Sequence, residues 1–452
     1  MANNNVKRLW DKGDTIDSLM IQLTVGDDHI IDREMIVWDC IGSAAHAKML
    51  LSIGMLSQKD VKNLLLELHN IYVRASEGKI NIPLELEDAH NMIENLLVDK
   101  LGETGKRIHA GRARNDQILV TTRLYLRYVL IQILLKLIAF THLCFERYAE
   151  LKDIPLPGYT HMQLAMPSSV GMWLHAWIEQ SVEIVKEGLN LLEILNKNPL
   201  GASAGFGSNI PLDRKLTTKL LGFGEVQRSP IDCNNSRGRY ELKLLRLAED
   251  IAGMFEKIAC DIMLYTTREF GFFKLPIELT TGSSIMPQKR NSDLAELCRA
   301  RASKVRATSF ELAGVISKLI SSYNRDLQYT KEPVLRGVRE LSDMFKMAEL
   351  LVGRFEVQCD RIENAMLPEL YATYEANNMA REGMPYRDAY KILGKKVREP
   401  NYSKAGLVDE FKVIAKQTDS DVQEVRAELD KVEKKVEMLV ESYANLSEEI
   451  FK

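Results

Sequence analysis

The stretch Thr281–Asn291, which reads Thr-Gly-Ser-Ser-Ile-Met-Pro-Gln-Lys-Arg-Asn, gathers the densest set of groups able to do chemistry in this 452-residue chain. Gly282 opens φ values closed to other residues. Ser283 and Ser284 add hydroxyls and adjacent N–H groups, while Pro287 and Lys289 fix and charge the far side. A helical pattern begins near Ser292, so the loop runs into a helix N-terminus with its unpaired donors and positive dipole end. Together with Lys289 this makes a place for an anion, most simply a carboxylate or a phosphate.

Three other polar segments sit beside long helical patterns. His109–Gln117 carries Arg112 and Arg114, whose guanidinium forks suit carboxylates, and Asn115, which both donates and accepts. Gly158–Gln163 puts Thr160, His161 and Gln163 after a glycine that permits a tight turn. Tyr323–Lys331 reads as a helix start, with Gln328 and Lys331 on neighbouring faces. Taken singly, each is as readily a helix start, a structural histidine or a solvated face.

Long helices must position these segments. Apolar periodicity predicts helices over about 116–151, 167–196, 236–270, 292–321 and 324–358, with Pro167 suited to the first turn of the second. Shorter helices are expected over about 32–55, 58–76 and 85–101, with Ser57 as an N-cap. The fold class is all-α, an elongated bundle, and no strand-rich region stands out. Three parts are expected: an N-terminal helical domain (1–112), a central bundle (113–358) and a C-terminal domain of shorter helices (359–452). In 116–151, Tyr125, Val129, Ile133 and Leu137 form one apolar row, and Leu130, Leu134 and Ile138 a second. Apolar residues on more than one face predict burial against further copies of the chain.

Charge nearly balances, 60 Lys and Arg against 63 Asp and Glu, which argues against a nucleic-acid partner. The six cysteines are scattered without a CxxC pair, which predicts free thiols in a reducing compartment. The N-terminus has no signal-like apolar run, and the apolar stretch Tyr128–Phe140 is short of the roughly 20 residues a bilayer span needs. The expectation is a soluble cytoplasmic protein.

Together the four segments are more specific than any one. The loop from Gly282 to Asn291 resembles the GSSxMPxKxN signature of the fumarase/aspartase superfamily, lyases that release fumarate from succinyl-type substrates. Within it the chain resembles the argininosuccinate lyase family, in HxGRxRNDQ (His109–Gln117), GYTHxQ (Gly158–Gln163), GSSxMPQKxN with Gln288, and NRDLQxxKE (Asn324–Glu332). The segments Asp39–Leu50 and Glu87–His90 look like that family too. Three positions depart from it: Asp28 aligns where a substrate-contacting Ser is usual, Ala113 stands for a Ser, and Ser292 for a Pro.

The resemblance implies reversible cleavage of argininosuccinate to arginine and fumarate in arginine biosynthesis, without metal or organic cofactor. It implies Ser283 as base and His161 as acid or as orienter of an acidic water, an assignment that could be reversed. Glu296 would pair with His161, while Lys289 and Asn291 would stabilise the aci-carboxylate. Arg114, Asn115 and Thr160 would bind the succinyl carboxylates, and Tyr323, Gln328 and Lys331 the amino-acid end. It also implies a homotetramer whose active sites are shared between subunits. The competing readings are adenylosuccinate lyase, an aspartase or fumarase relative, and a catalytically silent crystallin-like relative.

Overall fold

The structure is a computed structural model that describes residues 17–403 and 408–452. Residues 1–16, part of an N-terminal stretch expected to be weakly patterned, lie outside the described residues. Three helices build the N-terminal part: α1 (Ile36–Ser52), α2 (Gln58–Ser76) and α3 (Ala89–Leu101). Ser57 caps α2 as expected, in a capping box with Asp60. Leu50, Leu64, Leu68, Ile93 and Leu97 are fully buried between these helices.

The bundle follows. Helix α4 (Arg114–Leu151) has 38 residues and so a length of about 57 Å. A hairpin of β1 (Pro155–Thr160) and β2 (Gln163–Ser169) turns the chain into α5 (Val170–Leu195). Then come α6 (Arg239–Tyr265), the two-residue strands β3 (Thr281–Gly282) and β4 (Arg290–Asn291), α7 (Asp293–Val315) and α8 (Lys331–Arg354). Helix α9 (Val408–Glu449) closes the bundle with 42 residues.

Cross-contacts fix the directions. Gly171 lies against Lys152 and Gly188 against Leu134, so α5 runs antiparallel to α4. Trp173 bonds Asp261 at 2.9 Å and the Ser181 hydroxyl meets the Met254 sulfur at 3.5 Å, so α6 reverses again. The Thr266 and Ser292 hydroxyls are 3.2 Å apart where α6 hands over to α7. Gly337 abuts Thr308, and Arg301 bonds Glu340, which sets α8 antiparallel to α7. Lys136 reaches Ser342 at 2.6 Å and Arg147 the Val352 carbonyl at 3.2 Å, so α8 runs parallel to α4. The rod therefore has an Arg114 end and a Leu151 end.

Several sequence expectations need correction. Pro167 is not in a helix: it lies in β2, and Ser169 caps α5 by accepting from Met172 N at 3.0 Å. The helix expected from 324 begins as a 3-10 segment, Arg325–Thr330, before α8 starts at Lys331. The chain after 359 is not all short helices, because α9 lies along α4 and α5 with Val422, Leu429 and Val436 buried in the main core. Both apolar rows of α4 are buried within the single chain, Leu130, Leu134 and Leu137 completely, so they are not a free face for another copy. By length and composition α4 alone among the described helices could cross a membrane, yet 61% of its most apolar window is buried in the bundle. Cys40, Cys144, Cys233 and Cys298 are buried free thiols, while Cys359 is exposed.

Candidate active site

At the Arg114 end the chain encloses a cavity of about 150 Å³. That is below the roughly 300–1,000 Å³ usual for a complete ligand site. Arg114 opens α4, where the helix dipole disfavours a cation. Two acids offset this: its guanidinium bonds Asp88 and lies 3.5 Å from Glu87. Burial alone would lower the Arg114 pKa, but Asp88 and Glu87 hold it above its ordinary value. Asp88 is fixed in turn as the N-cap of α3, accepting from Asn91 N at 2.9 Å. Asn115 lies beside Arg114 on the cavity wall.

Behind this wall sits a buried polar network. His90 Nδ1 bonds the Asp39 carboxylate, which also accepts from Gln117 Nε2 at 3.0 Å and Ser43 Oγ at 3.0 Å. Burial would raise the Asp39 carboxyl, yet His90 and Arg112 hold it below the usual range. Burial would lower the imidazole, yet Asp39 and Asp88 hold it above its usual value. His90 Nε2 has no partner among the described residues, and His90 lines the cavity. Arg112, expected to fork onto a ligand carboxylate, is instead buried with Nη1 on Ser43 Oγ at 2.9 Å.

The third wall comes from Tyr323–Lys331. Gln328 Nε2 donates to the Thr24 and Val25 carbonyls at 2.9 and 3.0 Å. Lys331 is buried, with its ammonium bonded to Asp32 and 3.0 Å from Asp28. Burial would lower its pKa, but Asp32 and Asp28 raise it, so the charge is retained. Asp28 is pushed up to about 6, mainly by burial, with Lys331 opposing. Tyr323 lies under the Arg237 guanidinium at 5.5 Å.

The remaining candidates stand at the Leu151 end. His161 and Met162 are the two central residues of the β1–β2 turn, with φ of 53° and 60°. Two positive φ values in succession match a turn whose twist suits a hairpin, at a steric cost for non-glycine residues. Gly158 sits at the register shift of the hairpin, where a Cβ would come 2.8 Å from the Met166 carbonyl. Thr160 and His161 are exposed. The hairpin is braced by Tyr159 against Phe270, ring centroids 5.4 Å apart.

The signature loop spans residues 283–289, pinched off by β3 and β4. Ser283 Oγ accepts from Met286 N at 3.2 Å and Ile285 N at 3.4 Å. Asn291 Nδ2 donates to Thr281 Oγ1 at 3.4 Å, and Thr281 Oγ1 donates to Asp293 at 2.5 Å. Lys289 and Glu296 are exposed. Among the described residues no hydrogen bond or ion pair joins His161 to Glu296 within the chain.

The candidates thus fall into two groups. Arg114, Asn115, Tyr323, Gln328 and Lys331 meet in one cavity. Thr160, His161, Ser283, Lys289, Asn291 and Glu296 lie at the other end of a helix about 57 Å long. Sequence reasoning did not put Asp32, Glu87, Asp88, His90 or Arg237 in the site, although they line or brace the cavity. The one signal was Glu87-Asp88-Ala89-His90, three titratable residues in four.

The fold resembles solved lyases of low sequence identity. An EDDS lyase in complex with formate matches with a TM-score of 0.79 at 20% identity, covering 97% of this chain and 95% of that one. A class II fumarase from Schistosoma mansoni matches with a TM-score of 0.71 at 16% identity, over 86% and 89% of the two chains. The architecture is that of the all-α fumarase/aspartase fold. A family model described as "Lyase" matches residues 14–307. Argininosuccinate lyase from Phocaeicola vulgatus is 39% identical over 388 residues, 86% of this chain and 87% of its own. The one from Xylella fastidiosa is 40% identical over 86% of this chain and 87% of its own. The chain belongs to the argininosuccinate lyase family.

Proposed function

We propose that this protein cleaves argininosuccinate reversibly to arginine and fumarate by base-catalysed elimination, as a cytoplasmic enzyme of arginine biosynthesis. One observation carries the reading: the 388 residues aligned with the Phocaeicola vulgatus lyase, out of 452, necessarily take in all four polar segments.

Ser283 removes the proton beside a succinyl carboxylate. A serine hydroxyl is a weak base, and the N–H groups of Ile285 and Met286 aimed at its Oγ favour the ionised form. Lys289 and Asn291 receive the charge that develops on the aci-carboxylate. Closure of the exposed loop excludes water and strengthens both effects. His161, oriented by Glu296, protonates the departing guanidinium nitrogen directly or through a water. Arg114, Asn115 and Thr160 hold the succinyl carboxylates, and Tyr323, Gln328 and Lys331 the amino-acid end.

This chemistry needs residues from both ends of one rod, so the enzyme works as a homotetramer whose sites take loops from several copies. Two exposed apolar side chains of α7 support this, Leu297 at 56% and Phe310 at 83% exposure. In this reading the bundle built on residues 113–358 and completed by α9 assembles and catalyses, flanked by smaller parts at 1–112 and in the segment between α8 and α9.

The test offers the purified protein argininosuccinate, adenylosuccinate, aspartate and malate in parallel and follows fumarate by ultraviolet absorbance. Release from argininosuccinate alone is expected. Release from another substrate alone would overturn the assignment.

A further inference from the structure

Between α4, α5 and α9 lies a second cavity, of about 460 Å³, within the range usual for small-molecule sites. Its apolar wall is mostly aliphatic, from Ile131, Leu189, Leu192, Val432, Met438 and Leu439. Three cations line it, Arg127, Lys186 and Lys435, against one acid, Glu193. Lys186 is held by Glu428 at 2.5 Å, while Lys435 is exposed and has no ion pair among the described residues. Arg127 stands about 20 Å along α4 from Arg114, so this is not the cavity at the Arg114 end.

Arg127 is the unusual cation. It is 5% exposed, yet no carboxylate among the described residues offsets its burial. The other two arginines near the start of α4 face acids: Asp39, Glu94 and Asp116 act on Arg112, and Asp88 and Glu87 on Arg114. Burial lowers the Arg127 pKa, and the group acting the other way is the Tyr443 phenol. The guanidinium lies over the Phe223 and Tyr443 rings, 4.5 and 4.8 Å from their centroids. Its Nη2 donates to the Gly222 carbonyl at 2.7 Å, but its buried Nη1 has no partner among the described residues. Neither has the buried Tyr443 hydroxyl, which burial pushes up in pKa, so that it keeps its proton and can donate.

Buried polar groups are nearly always hydrogen-bonded, and buried charges paired. A guanidinium and a phenol that line one cavity, each with a donor unmet, suit an anion with two acceptor oxygens. A carboxylate is such a group, and the aliphatic wall suits an alkyl chain behind it. We infer that the cavity between α4, α5 and α9 is a second binding site, for a medium-chain aliphatic carboxylate, with Arg127 and the Tyr443 hydroxyl as its donors and Lys435 at its rim.

The test is titration calorimetry on the full-length protein with octanoate as the probe. Acetate, which lacks the chain, and octylammonium, which reverses the charge, are the controls. Octanoate is expected to bind at one site per chain, at least about tenfold more tightly than either control, the scale of a hydrogen bond to a charged group. Binding is expected to persist in excess L-arginine, because the two cavities are separate. Tyr443→Phe removes only a hydroxyl without a partner among the described residues, so folding should be kept while octanoate affinity falls about fivefold. Arg127→Gln should abolish the preference for octanoate over octylammonium. Thermal unfolding and sizing of both variants run alongside, and if Arg127→Gln does not fold, Tyr443→Phe decides. No binding of octanoate, equal binding of the three probes, displacement by L-arginine, or unchanged octanoate affinity in Tyr443→Phe would overturn the inference.

Discussion

His90 and Asp39 form a buried acid–base pair, 4% and 1% exposed, that stands directly behind the cavity holding Arg114 and Lys331. The imidazole is held above its ordinary pKa and the carboxyl below, so the pair is ionised in the fold. Breaking such a pair by removing one partner costs on the order of 3 kcal/mol. His90→Gln should therefore lower the unfolding midpoint. The contribution of His90 is full below the unfolded value of 6.5 and is lost as pH rises through its raised folded value. The gap between wild type and variant in thermal unfolding should thus be wider at mildly acidic pH than at alkaline pH. A gap that widens towards alkaline pH would show His90 to be neutral in the fold.

Ser283→Ala should reduce fumarate release by at least about a thousandfold, the scale of losing an essential catalytic group. The loop is exposed and its hydroxyl bonds only loop N–H groups, so folding and oligomeric state should not change. Retained turnover would move the base to another residue.

Mixing two inactive variants tests whether sites are shared. Ser283→Ala damages the Leu151 end and Arg114→Ala the Arg114 end. If each site takes these residues from different copies, co-refolded mixtures should regain roughly a quarter of wild-type activity, the statistical share of sites free of both lesions. No recovery on mixing would mean that each site is built from one copy.

Phe310, 83% exposed on α7, is a large apolar side chain without cover in the single chain. Phe310→Asp should shift the protein towards smaller species in sedimentation and lower its activity in parallel. An unchanged sedimentation coefficient would place the subunit contact elsewhere.

The long helices were legible because Leu130, Leu134 and Leu137 recur at helical spacing over many turns. Helix α9 escaped notice because Val422, Val425, Leu429, Val432 and Val436 form a narrow stripe, about two residues in seven, within a charged sequence. The β1–β2 hairpin escaped because Pro155, Pro157 and Pro167 mask strand alternation, and its turn uses His161 and Met162 where glycine or asparagine would have signalled it. The polar segments could be read from local spacing. The partners of Arg114 and Lys331 could not, since Asp28 and Asp32 lie some 300 residues from Lys331 along the chain.

The distance between the two ends of α4 also divides labour. The Leu151 end carries the groups proposed to break the carbon–nitrogen bond, and the Arg114 end those proposed to grip the amino-acid portion. A substitution at Gln328 can therefore retune which molecule is held without disturbing the packing beneath Ser283 and His161. New specificity can be explored at one pole of the rod while the other keeps its reaction unchanged.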